Sequence, residues 1–238
     1  MTRIQELNNP INFIYMLKLF ALITGIMQML GTSPGVNSLQ PVATYKTIVT
    51  DARLTGEWTD GKDLVKIELV PDSKILREDN SNSKERKIPL GENKEEIAFY
   101  SKAYSITIKQ NGVEYILIGS LSRINNQLFM DIMSLGVKGN RSQEKGSGFE
   151  FTPNYLATFN IAAITFTDKN TLSIKLLNGT FLKEQISQGN MRLKYEKDQL
   201  FDSFLLTASS FELRQFLEKY GHDERLYYKE TTILTRKG

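Results

Sequence analysis

YSITIKQNGVEYILIGSLSRINNQLFMDIMSL, residues 104–135, holds three apolar segments separated by two short Asn-containing turns. In Tyr104–Gln110, Tyr104, Ile106 and Ile108 alternate with Ser105, Thr107 and Lys109. That period of two is the mark of a strand with one face on a core. Asn111-Gly112 is the pair favoured in tight hairpins. Val113–Ile124 follows, Asn125-Asn126 turns the chain again, and Gln127–Leu135 returns. Three strands joined by turns this short form an antiparallel meander.

The pattern extends in both directions. Leu64–Val70 sets Val65, Ile67 and Leu69 against Lys66 and Glu68. Phe159–Thr167 and Thr171–Leu177 flank Asp168-Lys169-Asn170, a further hairpin. Met191–Tyr195, Ser203–Thr207, Leu54–Thr59 and Thr231–Arg236 complete a set of about eight to ten strands. The expected fold class is all-β, an antiparallel up-and-down barrel, because closure removes exposed strand edges. Ser209-Ser210-Phe211-Glu212 is a capping box, and Leu213, Phe216, Leu217 and Tyr220 recur at helical spacing. One C-terminal helix is therefore expected over 209–220, stopped by Gly221 in a left-handed cap. A shorter helix is expected over Thr180–Ile186. Asp72–Glu96 and Gly136–Gly148 read as polar insertions, either solvated loops or lids.

Composition narrows the function. The 238 residues are 40% hydrophobic and 24% charged, which is globular. With no Cys there are no disulfides, thiolate metal sites or cysteine nucleophiles, and one His leaves no paired-His metal site. No cofactor and no metal are expected. A net charge of +3, with acids and bases interleaved as in 83–96, does not form the basic stripe of a nucleic-acid binder.

The amino terminus reads as a sorting signal or anchor. No charge occurs from Leu19 to Tyr45, and Leu19–Leu30 is almost continuously apolar behind Lys18. The run matches a signal-peptide core better than a spanning helix. Translation is expected to begin at Met16, and the nearest small-x-small processing pattern is Val36-Asn37-Ser38. The alternatives are an uncut anchor over residues 12–30, the chain's only membrane contact, and a buried first helix of a cytosolic protein. The expected organisation is a leader or anchor at 1–38, a linker at 39–53 and the barrel at 54–238, in an exported, periplasmic or otherwise extracytoplasmic protein. Asn140-Arg141-Ser142 and Asn178-Gly179-Thr180 match the glycosylation pattern.

The only Trp lies in Gly56-Glu57-Trp58, at the start of the first strand. Gly-x-Trp there, an up-and-down strand series, a late helix and a short last strand together resemble the lipocalin plan. The resemblance implies that Trp58 closes one barrel end with an Arg stacked on it, and Arg236 is the matching candidate. From about Leu54 to Arg236 the chain is also similar to uncharacterised exported bacterial proteins with a lipocalin-like barrel. LSIKLLNGTFLKEQI (172–186), residues 205–228 and QLFMDIMSL carry that likeness. It implies no activity.

Few residues suggest chemistry. His222 beside Asp223 lacks any nucleophile motif, and Glu57 and Asp60 have no defined spacing for glycoside hydrolysis. No phosphate loop or nucleophile elbow is present, so no enzymatic activity is expected. Asp131 shares a strand face with Phe129, Met133 and Leu135, so it needs a polar partner or serves as anchor for a ligand's head. Tyr104, Tyr115 and Asp131 are the candidate ligand-binding residues. Two functions lead, and a third, an isomerase-like or hydrolytic activity built from Asp, Tyr and Lys on this scaffold, stays open without a motif behind it. The first is binding of a small, mainly apolar molecule or lipid inside the barrel. The second is an envelope interaction module, with a protein partner and a barrel filled by its own side chains. Inward-facing Gly119, Ala157, Ala162 or Ala163 would leave room for a ligand.

Overall fold

The computed structural model describes residues 36–73, 93–138, 157–197 and 204–238. Its strands are β1 (Asn37–Ser38), β2 (Ile48–Val49), β3 (Gly56–Thr59), β4 (Leu64–Leu69), β5 (Tyr104–Gln110) and β6 (Val113–Ile124). They continue with β7 (Gln127–Lys138), β8 (Phe159–Phe166), β9 (Thr171–Leu176), β10 (Tyr195–Lys197), β11 (Phe204–Leu206) and β12 (Thr232–Arg236). The helices are α1 (Lys94–Tyr100), α2 (Gly179–Ser187) and α3 (Ser210–Tyr220).

Eight strands close an antiparallel barrel in the order β8-β7-β6-β5-β4-β3-β12-β9, with β9 pairing back to β8. The meander is present as the alternation requires. Asn111 and Gly112 both have positive φ (50° and 78°), as do Asn125 and Asn126 (47° and 65°), so both turns have the backbone hand that suits the strand twist. The alternating residues Val65, Ile67, Tyr104, Ile106, Ile108, Leu117, Met130, Ile132, Leu172 and Leu234 form the barrel interior.

Two outer clusters flank that interior. Phe129, Ile161 and Ala163, on the outer faces of β7 and β8, pack under Leu182 of α2 and Leu213, Phe216 and Leu217 of α3. Ile116 and Ile118, on the outer face of β6, lie with Ala43, Ile48, Val70 and Ala103, flanked by Phe99 and Tyr100 of α1. α3 begins in the expected capping box: Glu212 N–H donates to Ser209 Oγ, and Ser209 N–H donates to Glu212 Oε2 (2.8 Å). The Ser209 N–H, Lys194 and the Ser209 hydroxyl, all donating to it, hold the Glu212 carboxyl down at about 2.

Several expectations are corrected. Residues 39–53 are no linker: Val42, Ala43 and Ile48 are buried, and β2 pairs with Ser122 and Leu121 of β6. The strand expected over 191–195 is displaced to β10, which shares only Tyr195 with it, and that over 203–207 shortens to β11; both stand outside the barrel, attached through β1. The polar insertion 72–96 ends in α1, whose Asn93 cap accepts from Glu95 and Glu96 N–H. Residues 74–92 of that insertion, and 139–148 of the second, lie outside the described residues. Gly221 is right-handed (φ −59°), not left-handed. Glycine is needed there because a Cβ would collide with Leu217 O and meet Phe129 Cζ at 3.0 Å. No described helix is long and apolar enough to cross a membrane.

Candidate functional site

One end of the barrel collects Gly56, Tyr104, Phe166 and Arg236, by the registers of β3, β5, β8 and β12. Trp58 is fully buried, and its indole N–H donates to Leu54 O (2.9 Å). The Arg236 guanidinium lies 4.3 Å from the Trp58 ring and donates to Thr55 O (2.9 Å) and Arg53 O (2.5 Å). Phe166 stands 6.4 Å from Trp58 and carries Arg53 over its own face at 4.2 Å. Gly56, at φ 138°, lets this happen, because a Cβ there would collide with the Arg236 guanidinium. Gly56→Ala is expected to lower stability by about 1–3 kcal/mol through backbone strain and the displaced Arg, read as a fall in the urea midpoint.

Tyr104 completes this closure. It is fully buried, its hydroxyl receiving Asp51 N–H (2.7 Å) and donating to Asp51 O (3.2 Å). Burial raises its phenol above the ordinary value. Both bonds run to the chain itself, so Tyr104 fastens the end of the barrel.

Along the barrel axis runs a cavity of about 30 Å³, lined by Ile67, Ile106, Leu117, Met130, Ile164, Leu172 and other aliphatic side chains. Leu54 bounds it towards the Trp58 end, and Asp60 and Thr232 towards the other. Gly119 and Ala162 do face inward, but a Cβ on Gly119 would lie 2.9 Å from Ile106 Cδ1 and 3.0 Å from Met130 Sδ. The space a small residue leaves is therefore already filled. Ala163 faces the helices, and Ala157 is exposed before β8. Tyr115 packs half-buried against the interior residues.

Asp60 borders the cavity, as Thr232 does, and sequence did not single it out for this role. Its Oδ1 accepts from Lys62 and Asp63 N–H (3.0 and 2.8 Å), a turn legible in Asp-Gly-Lys-Asp. Its Oδ2 is buried without a partner among the described residues. Beside it, burial and the Asp60 charge raise the carboxyl of Asp63, which accepts from Gln110 Nε2 at 2.8 Å.

Asp131 is not in the barrel interior. It points outward from β7 and is 1% exposed, closed over by the segment before β2. Its Oδ1 accepts from Val42 N–H (2.8 Å), and its Oδ2 from Ala43 N–H (2.9 Å) and the Ser120 hydroxyl (3.3 Å). Burial lifts its carboxyl to about 7, opposed by those donors and by Arg214 of α3. It clamps the amino-terminal segment to the barrel wall, the polar-pair role rather than the ligand anchor.

Other candidates separate from one another. His222 is exposed, while Asp223 gives both carboxylate oxygens to Arg225 (2.7–3.2 Å) and does not orient it. Glu57 is exposed, so it forms no pair with cavity-lining Asp60. Asn178 caps α2, accepting from Phe181 N–H (3.1 Å), and Asn140 lies outside the described residues. Among the described residues no group of three or more His, Cys, Asp or Glu could hold a metal. Comparison with protein-family models, with curated proteins and with solved structures finds no match to this chain.

Proposed function

We propose that this chain is an exported recognition module, a lipocalin-like barrel filled by its own side chains that meets an envelope partner on its outer surface. The observation that carries this reading is the interior volume. Ligand pockets are typically about 300–1,000 Å³, whereas the axial cavity is about 30 Å³. An apolar space this small favours an interior filled by side chains over one that holds a lipid. Arg236 over Trp58, with Gly56 making room, supports the likeness to the lipocalin plan at the closed end. Large apolar side chains also stand outside the barrel: Phe211 is 67% exposed, Ile97 55% and Ile233 45%. The proposal includes no catalytic step, no nucleic acid and no cofactor.

Carriage of a small, apolar ligand is the second reading, favoured by the wholly aliphatic surface of the axial cavity, which Asp60 borders. Native mass spectrometry of the purified chain, with and without a bacterial lipid extract, separates the two. A bare mass in both samples, with a specific crosslinked adduct to an envelope protein in cells, is expected. A discrete small-molecule adduct lost on denaturation would overturn the filled-barrel reading in favour of carriage.

A further inference from the structure

The first described residues are already built into the fold. Val36 is 2% exposed and belongs to the cluster of Ile161 and Leu206. Asn37 and Ser38, as β1, pair antiparallel with Asn160 and Phe159 of β8 and parallel with Leu205 and Leu206 of β11. Leu39 N–H donates to Leu206 O (2.9 Å), and the Ser38 hydroxyl, fully buried, to Gln40 O (2.7 Å). In the sheet, among the described residues, β11 reaches the barrel only through β1, because its other neighbour is β10. Two residues thus carry the strand pairing that couples β10 and β11 to the barrel, beside the apolar cluster that Leu206 shares with Ile161 and Ala163.

Those residues coincide with Val36-Asn37-Ser38, the stretch that looks most like an export processing site. Cutting after Ser38 would delete β1 and the Val36 side chain from the core. After folding, β1 has strands on both sides, so no edge remains for a protease to pair with. We propose that the functional chain retains Val36–Ser38, and that any removal of the upstream segment hydrolyses a peptide bond on the amino-terminal side of Val36. In that hydrolysis water supplies the hydroxyl of the new carboxyl end and the proton of the new amine. Only the existence of a cut rests on the export reading of Leu19–Leu30; the role of β1 does not.

The test begins with the full chain expressed in a bacterial host, fractionated and weighed intact. A first residue at or before Val36 is expected; one at Asn37, Ser38 or Leu39 overturns the proposal. Hydrogen exchange then compares the full chain with its Val36→Asp and milder Val36→Ala variants. Exchange in Tyr195–Lys197 and Phe204–Leu206 is expected to rise roughly tenfold or more with Val36→Asp, and less with Val36→Ala, while β5 and β6 stay protected. Unchanged exchange at β10 and β11 in both variants would overturn the coupling role of β1. Recovery of an uncut chain from the cytosol would refute export alone, leaving the exchange comparison to judge β1.

Discussion

Trp58→Ala is expected to remove about 3–5 kcal/mol, a large part of the roughly 5–15 kcal/mol that holds a domain of ordinary stability together. The indole is fully buried, and its loss opens a cavity bounded by Leu54, Phe166 and the Arg236 guanidinium. The guanidinium then faces a void where it had an aromatic face. Leu54 O loses its donor. Urea unfolding followed by circular dichroism reads the effect. Trp58→Phe keeps most of the apolar volume and is expected to lose much less. Equal losses in the two variants would show that the N–H bond to Leu54, and not ring burial, dominates.

Asp131 gives the second large effect, and its sign is opposite to ordinary acid denaturation. Its folded carboxyl titrates at about 7, against the usual 3.8 when exposed. Between those values the folded protein holds a proton that the unfolded chain lacks. This contribution is therefore complete below about pH 4, is lost as pH rises through about 7, and is constant above. At about 1.4 kcal/mol per pKa unit, its ceiling is on the order of 4 kcal/mol. Asp51, Glu212 and Asp223, whose carboxyls are lowered, act the other way but in the more acid range below their ordinary values. Denaturant titrations from pH 4.5 to 8 should show a decline that Asp131→Asn flattens. Asp131→Ala should cost about 1–3 kcal/mol for each amide left unpaired, those of Val42 and Ala43. A wild-type profile that does not decline would place the Asp131 carboxyl near its ordinary value and refute this account.

Legibility in the sequence follows the range of the forces involved. Alternation at Tyr104, Ile106 and Ile108 is a local signal, and the structure turns these residues inward together. The turn at Asn125-Asn126 and the Ser209–Glu212 box are equally local, and both are present. α1 escaped because its cap, Asn93, and its acidic first turn sit inside a charged run that resembles a loop. β10 and β11 have strand-like residues, but only the distant β1 decides that they leave the barrel. The same applies to Asp131. Its strand face was readable, whereas the segment covering that face comes from 88 and 89 positions away. Interior volume was least legible, since it depends on how Ile106 and Met130 fill the space beside Gly119.

Seven consecutive strands of the barrel leave a gap that β12 fills, pairing with β9 on one side and β3 on the other. Thr235 and Thr59, joined by a hydrogen bond, are 176 positions apart. On a ribosome emitting the chain from its amino end, those first strands are made long before their last neighbour exists. Until β12 emerges, β3 and β9 are open edges and Trp58 has no Arg236 above it. Contacts this distant in sequence form slowly. The first seven strands therefore cannot shut the molecule by themselves, and closure waits until β12 has been made.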